Sequence, residues 1–148
     1  MGDIQVVSEP LKDDFRKFLY RIWRHLNLPD PTPVQYDIAQ WMQAGPRRQI
    51  TEAFRGVGKS WICSAYVTWR LHRDPNYRFL VVSASKDRAS DFTTFTLRLI
   101  KEVPFLAHLI PKRGTRESKI SFDVGPAENA HAPSVKSLGV TGQMTGSR

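Results

Sequence analysis

Apolar side chains recur at three- and four-residue steps from Leu11 onward, at Phe15, Phe18, Leu19, Ile22, Trp23 and Leu26. That period predicts a helix with one buried face. Lys12, Arg16, Lys17, Arg21 and Arg24 fall on or near the other face, which reads as a solvated surface, with nucleic-acid contact as the alternative. Pro29, Pro31 and Pro33 stop the pattern, because proline lacks a donor and restricts the residue before it. A second helix follows, with Val34, Ile38, Trp41 and Met42 as its buried stripe and Gly45-Pro46 as its end. Residues 1–10 show no pattern and read as a loose terminus.

The next segments alternate in type. Residues 49–54 read as a short strand, and Trp61, Ile62, Ala65, Tyr66 and Trp69 recur at helical spacing between Ser60 and Leu71. Phe79-Leu80-Val81-Val82 is a continuous apolar run, the pattern of a strand buried on both faces. Ser85 is placed as the N-cap of a helix carrying Ala89, Phe92, Phe95, Leu99 and Ile100, which Pro104 breaks. Phe105, Leu106, Leu109 and Ile110 make a small apolar turn, and Lys112-Arg113-Gly114-Thr115-Arg116 a basic loop. Residues 119–124 alternate with period two as a half-buried strand does, residues 134–140 give a weaker strand, and residues 141–148 read as a loop. The expected class is α/β with a mainly parallel sheet flanked by helices.

Between the first strand and its helix stands Arg55-Gly56-Val57-Gly58-Lys59-Ser60. A glycine turn opening a helix gathers backbone N–H groups and the positive end of the helix dipole into one anion cradle. A lysine there reaches β- and γ-phosphates, and the hydroxyl after it ligates Mg²⁺, which is why Lys59 and Ser60 must be adjacent. The match to the phosphate-loop pattern is incomplete, since Ala53 holds the first glycine position. Gln35, just inside a helix that precedes the turn, offers donor and acceptor together, as the edge of adenine requires. At the carboxyl end of the second strand, Ser85, Lys86 and Arg88 either hold a nucleic-acid phosphate or serve as a cap and two solvated cations.

Composition narrows the partners. The 148 residues carry 22 basic and 14 acidic side chains, a net charge of +8, which favours a polyanion. Cys63 is the single cysteine, so no intrachain disulfide forms and a reducing compartment fits. No apolar run approaches the ~18 residues of a membrane span, and a soluble intracellular protein is expected. His25, His72, His108 and His131 lack metal-ligand spacing. The apolar strand ending in two acids that a phosphate-loop hydrolase needs is missing, and Ile120-Ser121-Phe122-Asp123 is rejected for that role because Ser121 interrupts it and Val124 follows.

Five segments in order resemble the N-terminal ATPase region of the large terminase subunit of short-tailed bacteriophages. They are residues 31–35, 53–60, 82–86, 120–127 and, at the end, 134–137 running into 141–143 and 145–148. The resemblance implies a P-loop NTPase fold, incomplete at the C-terminal end, in which residues 11–45 form a helical lead-in and residues 46–148 the P-loop core. It implies ATP and Mg²⁺ as cofactors, bound by Gln35, Arg55, Gly56, Val57, Gly58, Lys59, Ser60 and Trp61. Lys59 contacts the β/γ-phosphates, Ser60 the magnesium, Gln35 the adenine, and Arg55 the transition-state charge; the family's loop tolerates loss of the first glycine. The implied activity is a packaging ATPase in the host cytoplasm, a homo-oligomeric ring working with double-stranded DNA, the portal protein and procapsid, and the small terminase subunit, without a membrane. The acidic strand and the nuclease domain are expected beyond Arg148, so turnover by this chain alone is expected to be negligible. A helicase or restriction-type translocase, or a module that binds nucleotide or DNA without turnover, are the alternatives.

Overall fold

A computed structural model describes residues 11–140, and the expectations for residues 1–10 and 141–148 lie outside the described residues. The chain divides into two compact units, Met1–Trp69 and Arg70–Arg148, and the division falls inside a helix rather than at a linker.

In the first unit, α1 spans Phe15–His25 and α2 spans Pro33–Ala44. Asp14 caps α1, its carboxylate accepting from the Arg16 backbone N–H at 2.9 Å. Phe15, Phe18, Leu19, Ile22 and Trp23 are buried, as the spacing predicts. Asn27, at φ 56°, ends α1 in the left-handed conformation, and Leu28 N–H closes back on the Trp23 carbonyl at 3.0 Å. α2 begins at a capping box: Thr32 accepts from Gln35 N–H while the Gln35 side chain accepts from Thr32 N–H. Its buried residues are Ile38 and Ala39, whereas Val34 and Trp41 are exposed. The expected stripe was therefore right at Ile38 alone, with Met42 half-buried. Gln43 joins the two helices, accepting from Phe15 N–H at 2.9 Å and donating to the Asp13 carbonyl at 2.8 Å.

α3, Lys59–Arg73, starts in this unit. Trp69 donates its indole N–H to the Leu11 carbonyl at 2.9 Å, and its ring lies 5.3 Å from Phe15, centroid to centroid. Tyr66 meets Phe15 edge-on at the same separation. Such aromatic contacts add ~0.5–1.5 kcal/mol each beyond area burial. Residues 49–54 form no strand, which corrects the sequence reading. A strand exists only through its ladder, and Ile50 and Phe54, 90% and 65% exposed, are not held as ladder residues are.

In the second unit, β1 (Phe79–Ser83) is followed by α4 (Lys86–Glu102), a 3₁₀ turn (Pro104–Leu109), β2 (Ser121–Phe122) and β3 (Val135–Gly139). The sheet order is β1-β3-β2, with β1 parallel to β3 and β2 antiparallel to it. The sheet is thus small and mixed, not mainly parallel. α4 packs on β1 and β3, and a buried hydroxyl pair, Thr93 to Ser137 at 2.7 Å, links helix to sheet. Leu80 and Val82 are 61% and 59% exposed, so β1 is not buried on both faces as its sequence suggested. Only the Phe79, Val81 and Ser83 side of the strand turns inward.

Candidate functional site

The glycine turn is built from its two positive-φ residues. Gly56 (φ 92°) and Gly58 (φ 86°) take a backbone conformation that side chains other than glycine's rarely tolerate. A Cβ added at Gly56 would meet nothing within 4 Å, so the turn is open on that side. Val57, 4% exposed, is the apolar anchor of the turn. Its N–H reaches the Phe54 carbonyl at 3.4 Å, and Ile62 N–H bonds the Gly58 carbonyl at 2.9 Å as α3 begins.

Lys59, the first residue of α3, folds back over the turn. Its Nζ donates to the Ala53 carbonyl at 2.5 Å and the Phe54 carbonyl at 3.1 Å. Among the described residues the ammonium is therefore held by neutral acceptors only, and an anion placed in the turn offers it stronger partners. Ser60 and Arg55 are exposed. Arg55 forms no ion pair with Glu52 among the described residues. Trp61 is 43% exposed and stacks edge-on against Trp23 at 6.5 Å.

Gln35 is brought to the same place from 22 residues upstream. Its Nε2 donates to the Val57 carbonyl at 2.9 Å while Oε1 accepts from Thr32 N–H at 2.9 Å. One side chain thus ties the α2 cap to the glycine turn. An amide has two N–H donors and two acceptor lone pairs, so one of each remains. The capping-box half of this link is legible in Thr32-Pro33-Val34-Gln35; the half reaching Val57 has no local signal.

Ser85, Lys86 and Arg88 gather at the carboxyl end of β1. Ser85 caps α4, its Oγ accepting from Arg88 N–H at 3.3 Å, and the side chains of Lys86 and Arg88 are exposed. Asp123 accepts from the Arg116 guanidinium at 2.8 Å and from Ser134 N–H at 3.1 Å. That carboxylate helps to hold the β2–β3 connection. Arg116 also donates to the Ala130, His131 and Ala132 carbonyls of the same connection. Two of the histidines do meet: His72 Nδ1 lies 3.2 Å from His108 Nε2. Among the described residues no group of three His, Cys, Asp or Glu side chains is placed to hold a metal ion.

Cys63 lies half-buried on α3, and burial pushes its thiol pKa up. Since the thiolate is the nucleophile, a raised pKa leaves less of it at neutral pH. We expect modification by a disulfide reagent at pH 7.5 to be at least about tenfold slower in the folded chain than in guanidinium, given the reactivity range burial produces. Equal rates would show an exposed, reactive thiol.

No protein-family model matches the chain. Over 144 residues, 97% of its length, it is 51% identical to the large terminase subunit of Enterobacteria phage T3. The aligned region is 25% of that protein, so the chain spans about a quarter of the length of the relative it matches. The resemblance to large terminase subunits read from the sequence is borne out. No helix among the described residues is long and apolar enough to cross a membrane.

Proposed function

We propose that the chain is the nucleotide-binding part of a viral DNA-packaging motor, in which ATP hydrolysis drives double-stranded DNA into a procapsid. The observation that carries this reading is the similarity to the phage T3 large terminase subunit along nearly the whole chain. The glycine turn supplies the means. As a P-loop, it presents the backbone N–H groups of Gly56 and Gly58, and that of Val57 on leaving the Phe54 carbonyl, to phosphate oxygens at the start of α3, where the dipole favours negative charge. The open space at Gly56 fits that role. Lys59 exchanges its two carbonyl partners for β- and γ-phosphate oxygens, and exposed Ser60 offers its hydroxyl to Mg²⁺. The bound Mg²⁺ supplies neutralisation of the phosphate charge. Arg55 stands free to meet charge developing at the γ-phosphate, and Trp61 and Val57 complete the lining.

Gln35 acts twice in this scheme. It holds the turn through Val57, and its remaining donor and acceptor face adenine. Gln35→Ala should weaken MgATP binding by about tenfold, the effect of losing one to two hydrogen bonds at ~1 kcal/mol each, and should remove preference for ATP over GTP. Unchanged affinity and preference, measured by calorimetric titration, would detach Gln35 from the nucleotide.

Exposed Lys86 and Arg88, with Ser85, are the second unit's positions for nucleic-acid phosphate under the same reading. In the parent motor the partners are the portal, the procapsid, the small terminase subunit and further copies in a ring, acting in the host cytoplasm. Between Asp37 and Asp74 the sequence holds one acid, Glu52, and Asp123 is engaged by Arg116 and Ser134. The chain alone therefore binds MgATP and does not turn it over at a measurable rate. Phosphate release by the purified chain that disappears in Lys59→Ala would contradict this division of labour.

A further inference from the structure

The polar face of α1 carries one sign of charge. From Phe15 to His25 the sequence FRKFLYRIWRH holds four arginines and lysines and no acid. Because Phe15, Phe18, Leu19, Ile22 and Trp23 fill the buried face, Arg16, Lys17, Tyr20, Arg21 and Arg24 share the opposite one. A merely solvated helix face mixes signs and forms i,i+4 pairs. α4 does this, with Arg98 bonded to Glu102 at 2.8 Å. α1 does not.

Tyr36 of α2 lies alongside this face. Together the two helices and the residues before them line an open groove of about 510 Å³, bordered by Arg16, Lys17, Tyr20, Arg21 and Tyr36 together with Leu11 and Asp14. Asp14 is already engaged, capping α1 and lying 3.7 Å from the Arg16 guanidinium. Partial burial, then the nearby Asp30 and Tyr20, push the Tyr36 phenol pKa up, with Arg16 opposing. The groove thus offers three cations and two phenols against the lining carboxylate of Asp14, which already caps α1, and the nearby Asp30, so donors outnumber acceptors. A ligand with closely spaced anionic acceptors matches it, and the cations run along a helix rising ~1.5 Å per residue rather than converging on one point. That linear arrangement fits a phosphodiester backbone, whose contacts are made chiefly by Arg, Lys and hydroxyl side chains.

We propose that the α1–α2 groove holds the backbone of duplex DNA, with Arg16, Lys17 and Arg21 neutralising phosphates and Tyr20 and Tyr36 donating to their oxygens. The choice of DNA as the polyanion rests on the packaging reading; the groove's preference for a polyanion does not.

The test is fluorescence anisotropy of a labelled 30-base-pair duplex, titrated with the 148-residue chain at several salt concentrations. The triple variant Arg16→Gln/Lys17→Gln/Arg21→Gln should bind at least thirtyfold more weakly, with a log–log salt slope shallower by about 2 to 3, as loss of three phosphate contacts requires. Tyr36→Phe, which keeps the ring and the fold, should lose two- to fivefold. A Lys112→Gln/Arg113→Gln/Lys119→Gln control, which removes the same three charges at exposed positions of the second unit, should stay within twofold. The proposal is overturned if wild-type chain does not bind the duplex at low salt, if triple variant and control lose affinity equally, or if polyglutamate displaces the duplex as effectively as unlabelled DNA does. MgATP binding by the wild-type chain separates the two readings. If the groove variant loses DNA while wild-type chain fails to bind MgATP, the groove stands and the nucleotide reading falls.

Discussion

Lys59→Ala should lower the affinity of the chain for MgATP by about a hundredfold, the loss expected when a hydrogen-bonded ion pair worth ~1.5–3 kcal/mol is removed. In the ligand-free chain the same ammonium holds the Ala53 and Phe54 carbonyls, so the variant also loosens the turn. Thermal unfolding separates the two effects. The carbonyl contacts are exposed or half-buried and contribute at most ~1 kcal/mol, so the midpoint should fall by only a few degrees. Lys59→Arg keeps the charge but not the compact ammonium, and should recover part of the affinity. Binding by Lys59→Ala within threefold of wild type would show that no phosphate is held there.

The second large effect falls on stability. A Cβ at Gly139 would stand 2.4 Å from the Lys86 backbone nitrogen, 2.7 Å from its Cα and 2.8 Å from the Ser85 carbonyl carbon. These are backbone atoms at the start of α4, and they cannot rotate aside as a side chain does. Gly139→Val should therefore cost ~3 kcal/mol or more, at the upper end of overpacking effects, and lower the unfolding midpoint by more than about 10 °C. Gly56→Ala provides the contrast. It meets no atom within 4 Å and carries only the strain of φ 92°, about 1–2 kcal/mol. If Gly139→Val unfolds no earlier than Gly56→Ala, the close approach of β3 to α4 is wrong.

What could be read in the sequence depended on the range of the forces involved. The α1 face from Phe15 to Trp23, the Ser85 cap and the stop at Pro104 follow from neighbours within one helical turn, and each is where the pattern puts it. Ladder pairing is not local. Residues 49–54 have the composition of a strand without a strand's contacts, and the apolar run of β1 gives no sign that Leu80 and Val82 remain exposed. The same limit applies to the candidate site. Gly56, Gly58, Lys59 and Ser60 are adjacent in sequence, so their turn was legible. The link from Gln35 to Val57 spans 22 residues and became visible only in three dimensions. So did Tyr36, which sequence spacing gave no reason to place beside Arg16 and Tyr20. His72 and His108, 36 residues apart, met for the same reason.

The central claim is that residues 53–60 form a nucleotide cradle, and equilibrium binding of MgATP, MgADP and AMP to the 148-residue chain tests it most directly. Calorimetric titration gives the affinities, and Trp61, exposed beside the turn, gives an independent fluorescence signal. The account predicts saturable binding of ATP and ADP, because Lys59 and the turn amides grip the β-phosphate, with AMP at least tenfold weaker for want of those charge-assisted bonds. Equal binding of all three, or no saturable binding of ATP to folded chain, would contradict it.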